Sequence, residues 1–367
     1  MKLRYKILNG SLIVLAVLIT GLALAMSHTE DCGPASEMSA SRDTMQAAVR
    51  RCYGSPDVIE LVNIEKPQPK DDEVLVRVRA ASVNPLDWHE LRGSPYLIRL
   101  MTGLGKPDSV RMGVDYAGTI EAVGANVTTF KPGDEVFGGR NGAFAQYVTV
   151  GADRAIAMKP ANMSFEQAAS VGIAGITALQ ALRDKGQIKS GQRVLINGAS
   201  GGVGTFAVQI AKSFGAEVTA VCSTRNVELV QSIGADHVFD YKKEDYTDSG
   251  EQYDLIIDNV GNHGLLANRG VLTADGKLVM IGGAKGNWIA PLKGPLKALM
   301  LSPFVNQELL LILAEFNQGD LNLLGDLMQS GAMTPVIDRT YSLYELREAI
   351  AYSEEGHAQG KIIITVP

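Results

Sequence analysis

Cysteine is scarce in this sequence, with only Cys32, Cys52 and Cys222 among 367 residues. Three cysteines are too few for a disulfide-stapled scaffold, and an all-cysteine zinc site takes four thiolates. An excess of positive charge is also missing, because 34 Lys and Arg stand against 40 Asp and Glu, for a net charge of −6. Nucleic-acid-binding proteins usually present a basic field. We therefore expect neither a disulfide framework nor a nucleic-acid partner.

Low-complexity stretches are absent as well, and the overall composition is that of a globular protein. Apolar residues make up 46% of the chain and charged residues 20%, close to the averages for soluble domains. A chain of 367 residues has room for about two domains of ~100–200 residues each.

Charge is missing altogether from residues 7–26, a run long enough for a membrane-spanning helix, which needs ~20 apolar residues. Three basic residues precede the run and two acidic residues follow it. The positive-inside rule then predicts a cytoplasmic N-terminus, with the rest of the chain across the membrane. Residues 1–26 are thus interpreted as a transmembrane anchor, or alternatively as a signal peptide whose cleavage leaves the chain secreted or periplasmic. Residues 27–44 are typical of a polar linker.

The chain from residue 45 to 163 is rich in short strands and turns. Val74, Val76 and Val78 alternate with other residues, which is the period-two pattern of a half-buried strand. Residues 131–134 (KPGD) predict a tight turn before the next strand. Several short strands separated by Gly and Pro favour a barrel-like β domain over 45–163.

From residue 164 onward, strands alternate with helices. The apolar run 193–197 predicts a strand, an amphipathic helix follows it, and residues 218–222 predict the next strand. Such βαβ units build a parallel, doubly wound sheet because their crossovers are right-handed. Beyond residue 305 we expect an apolar helix, and residues 361–366 predict a last strand.

The strongest local signal is the glycine-rich turn at 197–204 (NGASGGVG), between a predicted strand and a predicted helix. Gly201 and Gly202 have no side chains to keep a diphosphate away from the backbone, and Gly204 allows the helix to pack closely on the strand. The N-terminus of the helix offers free N–H groups and the positive end of a dipole to the phosphates. The strand–turn–helix context predicts a dinucleotide-binding site.

The end of the next strand, residues 222–225 (CSTR), bears on which dinucleotide is bound. An NAD site usually has Asp or Glu here, to hold the ribose 2′-hydroxyl. This stretch has no acid, whereas Arg225 can pair with a 2′-phosphate. The sequence therefore favours NADPH.

Eight short motifs stand out in the chain: 84–87 (NPLD), 113–118 (GVDYAG), 131–134 (KPGD), 199–204 (ASGGVG), 234–236 (GAD), 240–241 (DY), 258–261 (DNVG) and 356–361 (GHAQGK). Together they resemble those of the medium-chain dehydrogenase/reductase superfamily, and specifically its zinc-free quinone oxidoreductase and enoyl-reductase branch.

The resemblance implies an α/β fold in which a Rossmann domain is inserted into a GroES-like β-barrel catalytic domain. We expect the catalytic domain over 45–163, the NADPH-binding Rossmann domain over 164–304, and a second catalytic part over 305–367. The resemblance also implies a homodimer.

Most of the cofactor-binding residues are likewise implied by the resemblance rather than by spacing. They fall into four groups: a diphosphate turn, an adenosine end, a ribose–nicotinamide channel and a C-terminal segment that closes over the cofactor. The diphosphate turn is Ser200, Gly201, Gly202 and Val203, and the adenosine end is Ser223, Arg225 and Tyr241. The ribose–nicotinamide channel is lined by Asn259 and Ile281, and the closing segment is His357, Ala358 and Gln359.

Zinc-dependent members of the superfamily bind the metal through barrel residues whose positions here hold Asn84 and Val114. Valine has no donor atom, and a catalytic zinc site needs three protein ligands, so we expect no metal. Without a Lewis acid, hydrogen-bond donors must stabilise the charge that develops on the substrate oxygen. Our catalytic candidates are Asn84 as that donor, Tyr96 as proton donor and Asp87, which we expect to orient the loop.

These expectations combine into an NADPH-dependent reductase that transfers a hydride to a quinone or an α,β-unsaturated carbonyl without zinc. Two alternatives stay open at this point. One is an NAD(P)-dependent alcohol dehydrogenase, which Val114 disfavours. The other is a membrane-anchored scaffold that binds NADPH without turnover.

Overall fold

The computed structural model describes residues 17–33, 43–283, 286–288 and 290–367. Residues 17–27 are helical, and the earlier part of the predicted membrane span lies outside the described residues. Within the described part of the chain, every helix is too short or too polar to cross a bilayer. The prediction that the chain is anchored in a membrane by an N-terminal helix is therefore wrong.

Two large sheets organise the fold. The strands in chain order are β1 Thr44–Val49, β2 Glu60–Glu65, β3 Glu73–Val83, β4 Asp115–Val123, β5 Glu135–Gly139, β6 Tyr147–Gly151, β7 Ile156–Met158, β8 Arg193–Asn197, β9 Glu217–Cys222, β10 His237–Asp240, β11 Tyr253–Asp258, β12 Leu272–Met280, β13 Glu308–Leu311, β14 Ile337–Ser342 and β15 Lys361–Thr365.

Helices lie between many of these strands. In chain order they are α1 Pro85–Arg92, α2 Arg99–Thr102, α3 Phe165–Ala169, α4 Gly172–Gln180, α5 Gly202–Ser213, α6 Val227–Ser232, α7 Leu265–Gly270, α8 Lys293–Leu301, α9 Gln318–Gln329 and α10 Leu346–Glu355.

The second half of the chain forms a six-stranded parallel sheet in the order β10-β9-β8-β11-β12-β13. Counted within the sheet, this is strand order 3-2-1-4-5-6, the doubly wound arrangement of dinucleotide-binding domains. Its central strand β8 is buried on both faces, which explains the unbroken apolar run Val194-Leu195-Ile196. The predicted parallel α/β sheet is confirmed.

One element of this sheet differs from expectation. The apolar residues after 305 form strand β13 rather than a helix, and the helix begins only at Gln318. β13 pairs in parallel with β12, matching Lys277 with Glu308, so the parallel sheet extends beyond residue 304 to Leu311. The periodicity of a short apolar run does not distinguish a strand from a helix. Here the segment is a strand because it pairs with the edge of β12.

The other sheet has seven strands, in the order β14-β15-β3-β4-β5-β7, with β6 also paired to β3. Its long central strand β3 pairs with β15 at its C-terminal end, placing Ile362 opposite Val83. The last strand of the chain therefore completes the sheet that the first domain begins. This pairing brings residues near 84 and near 361 together, across the whole length of the sequence.

The N-terminal segment up to residue 33 packs on this first domain. Cys32 and Cys52 form a disulfide, 20 residues apart in sequence. The buried guanidinium of Arg99 donates to the main-chain carbonyls of Met26 (3.0 Å) and His28 (2.7 Å). Residues 27–33 of the predicted linker are thus tied covalently and by hydrogen bonds to this first domain.

We expect Cys32→Ser to lower the free energy of unfolding by about 3 kcal/mol, because the disulfide restricts the unfolded chain over a loop of this length. Denaturant titration with and without a reductant measures the effect. Reductant should lower the stability of the wild type to that of Cys32→Ser and leave the variant unchanged. Equal stability of oxidised wild type and variant would contradict the expectation.

Candidate cofactor and catalytic site

The glycine-rich turn leaves β8 and enters α5 at the carboxyl edge of the parallel sheet. Gly198 has φ of +76°, a left-handed conformation that favours glycine. At Gly204 a side chain would collide with the main-chain oxygen of Gly198. These two glycines allow the chain to reverse direction and the helix to lie against the strand.

The first turn of α5 is free to bind an anion. Gly201 precedes the helix in an extended conformation, and no side chain caps the helix there. A Cβ added to Gly201 would meet nothing closer than the Gly198 oxygen at 3.5 Å, so the backbone is open on this side. Free N–H groups at a helix start, with no side chain over them, fit the diphosphate of a dinucleotide.

A hydrogen bond and a packing contact hold Ser200 and Val203 of this turn in place. Ser200 is nearly buried, and its hydroxyl accepts a hydrogen bond from Asn226 Nδ2 at 2.8 Å. Val203 packs against the core of the parallel-sheet domain. Ser200 to Val203, where the sequence predicts a phosphate site, therefore span the end of the turn and the start of α5.

The residues expected at the adenosine end lie together at the carboxyl ends of β9 and β10. The main-chain N–H of Tyr241 donates to the Cys222 oxygen at 3.0 Å, which places Tyr241 beside Ser223. Arg225 is exposed, and Nη2 of its guanidinium donates to the His357 oxygen at 2.8 Å. The remaining donors of that guanidinium stay available for a phosphate.

Along the same carboxyl edge, on the other side of β8, Asn259 follows the end of β11 and has the surroundings of a ligand-binding amide. Its Nδ2 donates to the Asn197 oxygen at 2.9 Å. Its Oδ1 is buried and has no hydrogen-bond partner among the described residues. A buried acceptor without a donor is costly, and a hydroxyl or amide donor of a bound cofactor would satisfy it. Ile281 lies beside it, its N–H bonded to the Asp258 oxygen at 2.9 Å.

The C-terminal segment crosses the turn from the other domain. Gly360 forms an isolated parallel main-chain bridge with Gly201. Just before it, the Gln359 N–H donates to Asp338 at 3.1 Å, and Ala358 packs on the core of the catalytic domain. Together with the Arg225–His357 bond, these contacts place the predicted closing segment His357 to Gln359 next to the cofactor turn.

A buried polar cluster lies where β3 meets α1. Asn84 is 2% exposed, and its Nδ2 donates to Asp115 Oδ2 at 2.9 Å. Its Oδ1 accepts from Lys361 Nζ at 2.5 Å. Its main-chain N–H donates to Asp87 Oδ2 at 2.7 Å, which caps the start of α1. The structure thus places the Asp87 carboxyl against the main chain of the loop that carries Asn84.

Burial raises the pKa of Asp87 to about 8, because water no longer stabilises its charged form. The hydrogen bond from the Asn84 main chain acts in the opposite direction and is weaker. At neutral pH the Asp87 carboxyl in the folded protein is mostly protonated.

Tyr96 lies outside this cluster, on the loop between α1 and α2. Its ring meets Trp288 edge to face at a centroid distance of 4.8 Å, and its N–H donates to the Asn287 oxygen at 2.8 Å. The Arg99 guanidinium lies 4.8 Å from the centre of its ring. Tyr96 therefore lies between the catalytic domain and the residues that follow β12.

The polar cluster does not fit a zinc ion. Val114 has no donor atom, and the oxygens of Asn84 and Asp115 already face the ammonium of Lys361, which would repel a metal ion. Over the described ranges, no group of three His, Cys, Asp or Glu side chains is arranged to hold a metal.

Sequence reasoning did not select Lys361, Asp115 or Lys242 as site residues. Lys361 and Asp115 lie inside motifs that the sequence showed, yet only the fold reveals that both contact Asn84. The Lys242 ammonium lies 5.2 Å from the centre of the Tyr241 ring and adds a cation to the adenosine end. Its position directly after Tyr241 is the one sequence signal that pointed to it.

Comparison with protein families identifies both parts of the chain. Residues 70–160 match the family model described as "Alcohol dehydrogenase GroES-like domain". Residues 233–364 match the model described as "Zinc-binding dehydrogenase". These two domains, in this order, define the medium-chain dehydrogenase/reductase superfamily.

Individual relatives are similar over nearly the whole chain. The chloroplast envelope quinone oxidoreductase homolog of Arabidopsis thaliana is 34% identical, over 87% of this chain and 98% of that protein. The NADPH-dependent alkenal/one oxidoreductase of the same organism's chloroplast is 31% identical, over 87% of this chain and 79% of that protein. The quinone oxidoreductase structure from Coxiella burnetii is 30% identical with a TM-score of 0.77, over 89% of this chain and all of that one.

The fold, the cofactor turn and these similarities place the chain in the medium-chain dehydrogenase/reductase superfamily. Its relatives are quinone oxidoreductase-like members of that superfamily. The protein is an oxidoreductase.

The raised pKa of Asp87 gives stability a defined pH dependence. Between the ordinary pKa of 3.8 and about 8, the unfolded chain has lost this proton while the folded chain retains it, so stability falls as pH rises. Asp87→Asn has no proton to lose, and its amide oxygen can still accept from Asn84. We expect the stability of the variant relative to wild type to increase from pH 5 to pH 8, by at most about 1.4 kcal/mol per pH unit.

Denaturant titrations at several pH values measure this difference. The matched control is Asp134→Asn, at an aspartate whose pKa is lowered by hydrogen bonding to Lys131. Asp134 is ionised in both the folded and the unfolded chain between pH 5 and pH 8. The difference in stability between Asp134→Asn and wild type should therefore stay constant over this pH range. A constant difference for Asp87→Asn as well would contradict a protonated Asp87.

Two glycines of the turn should respond differently to alanine. Gly201→Ala adds a methyl group on the open side of the turn, so we expect wild-type thermal stability and at least ~10-fold weaker NADPH binding, about 1.4 kcal/mol. Gly204→Ala places the methyl group against the Gly198 oxygen and should destabilise the fold. Calorimetric NADPH titration and thermal melts measure both; unchanged binding by Gly201→Ala would contradict this location for the diphosphate.

Proposed function

We propose that the protein is an NADPH-dependent reductase that delivers a hydride to a quinone or an α,β-unsaturated carbonyl compound without a metal ion. The observation that carries the proposal is that the start of α5, which no side chain caps, lies next to the Asn84 cluster. The main-chain bridge between Gly201 and Gly360 joins the two, because the next residue, Lys361, donates to the Asn84 amide oxygen. The relatives are named for quinone and for alkenal/one reduction, which supports both substrate classes.

The cofactor-binding part of the proposal follows the cleft from one end to the other. Ser200 to Val203 hold the diphosphate, and Ser223, Arg225 and Tyr241 hold the adenosine end. Arg225 supplies the charge for the 2′-phosphate that distinguishes NADPH from NADH, and the strand end 222–225 has no acid to repel it. Asn259 and Ile281 line the nicotinamide end, and His357 to Gln359 cover the cofactor.

When bound, NADPH supplies the hydride. The acceptor gains that hydride, with its two electrons, and one proton. Asn84 stabilises the developing oxygen charge through its second amide N–H, whose present contact with the Ser82 oxygen is long, at 3.4 Å. Tyr96 donates the proton, and Asp87 fixes the main chain of Asn84.

We further propose that the domains divide this work as the sequence suggests. The sequence predicts the boundary between the Rossmann domain and the C-terminal part of the catalytic domain after 304. We move it to the end of β13, so that the catalytic domain comprises 45–163 with 312–367 and the Rossmann domain comprises 164–311. Homodimer formation stays a prediction from the family resemblance.

The proposal is tested by following NADPH absorbance with a panel of quinones and enals as acceptors. We expect NADPH to be oxidised by at least one of them, NADH to be used less well, and a zinc chelator to have no effect. A secondary alcohol with NADP⁺ is the matched arm for an alcohol dehydrogenase. Tight NADPH binding without turnover, or activity abolished by the chelator, would contradict the proposal.

A further inference from the structure

Lys361 is a buried charged residue for which cofactor binding and hydride transfer give no explanation so far. It is 2% exposed, and burial lowers its pKa. Burying an ammonium costs several kcal/mol unless it is paired and hydrogen-bonded. Its Nζ contacts Asn84 Oδ1 at 2.5 Å, the Val83 oxygen at 3.3 Å and Asp115 Oδ2 at 3.7 Å.

Asp115 is the countercharge: burial raises its pKa, while the Lys361 ammonium and the hydrogen bonds that its oxygens accept favour the ionised carboxylate. Its Oδ2 accepts from Ser82 Oγ at 2.9 Å and from Asn84 Nδ2 at 2.9 Å. Its Oδ1 accepts from the Ile173 N–H at 2.8 Å. A side chain at Gly172 would collide with this carboxylate. Both carboxylate oxygens are therefore held by hydrogen bonds, with Oδ2 against Asn84.

These two groups decide how the Asn84 amide is oriented. An ammonium can only donate hydrogen bonds, and an ionised carboxylate can only accept them. The amide oxygen must therefore face Lys361, and the amide nitrogen must face Asp115. One N–H is used by Asp115, and the other has only the 3.4 Å contact with the Ser82 oxygen.

The stem of Lys361 lies against the cofactor turn. A Cβ added to Gly202 would come within 3.1 Å of Lys361 Cδ. The preceding residue, Gly360, makes the main-chain bridge to Gly201. Lys361 therefore extends from the glycine-rich turn at 197–204 to the Asn84 amide.

We propose that Lys361 is a positioning residue for the reduction: its ammonium fixes the Asn84 amide so that the N–H with only the long contact to the Ser82 oxygen can donate to the acceptor oxygen. The Lys361 ammonium is the fixed positive charge beside Asn84 in this cluster. The inference rests on the proposed function, because it assigns Lys361 a role in that same reaction.

The decisive experiment is a double-mutant cycle on kcat in the NADPH oxidation assay. Lys361→Met keeps the apolar stem and removes the ammonium, and Asn84→Ala removes the amide. We expect each single variant to lose about 100-fold in kcat, as for the loss of one oriented donor. Because Lys361 acts only through Asn84, the double variant should lose no more than either single variant.

NADPH affinity, measured by calorimetry, is the second readout and should stay near wild type in Lys361→Met. The matched control is Lys159→Met, at a lysine whose side chain is also largely covered. Its Nζ donates to the Pro160 and Met163 oxygens (3.2 and 2.6 Å) and pairs with Glu135 at 3.0 Å. Lys159→Met should keep wild-type kcat. If Lys361→Met does not fold, Lys361→Met with Asp115→Asn leaves no unpaired buried charge and should show the same loss of kcat.

Wild-type kcat in Lys361→Met would overturn the inference, and so would multiplicative losses in the double variant. Weakened NADPH binding with unchanged kcat would make Lys361 a cofactor ligand instead, and would also overturn it. These outcomes differ from failure of the proposed function, in which the wild type itself reduces no acceptor in the panel.

Discussion

The main-chain bridge between Gly201 and Gly360 is the contact on which the candidate site depends. It joins the parallel sheet, which carries the cofactor turn, to the last strand of the other sheet. β15 reaches this point because it pairs with β3, opposite the end of the strand that leads into Asn84. Two sheets from distant parts of the sequence thereby place a phosphate-binding helix start beside a buried amide.

The polar cluster behind that contact is expensive to build, which argues for its involvement in function. Two carboxyl groups and an ammonium are buried around Asn84, and well-packed apolar residues would often be as stable. Asp87 escapes part of this cost by staying protonated at neutral pH. Lys361 and Asp115 share the remaining charge as a fixed pair. Such an arrangement gives one amide a defined orientation, which is what a preorganised donor requires.

Elements determined by residues close together in the sequence could be predicted, whereas those determined by pairing between distant residues could not. Arg193–Asn197 was predicted correctly as a strand, because an apolar run, a glycine turn and an amphipathic helix are all local signals. β13 was misread because its pairing with β12 determines its conformation. Neither the Lys361–Asn84 bond nor the Asp115 contact has a local signature, since sheet pairing alone brings 84, 115 and 361 together. The membrane span was inferred from composition alone, and the helices of the described residues do not support it.

A crystal structure of the full chain with bound NADPH tests the central claim most directly. We expect the diphosphate oxygens within hydrogen-bonding distance of the main-chain N–H groups of Gly202 and Val203, with the nicotinamide ring on the side of Asn84. A diphosphate bound elsewhere in the cleft, or a nicotinamide ring directed away from Asn84, would contradict the account.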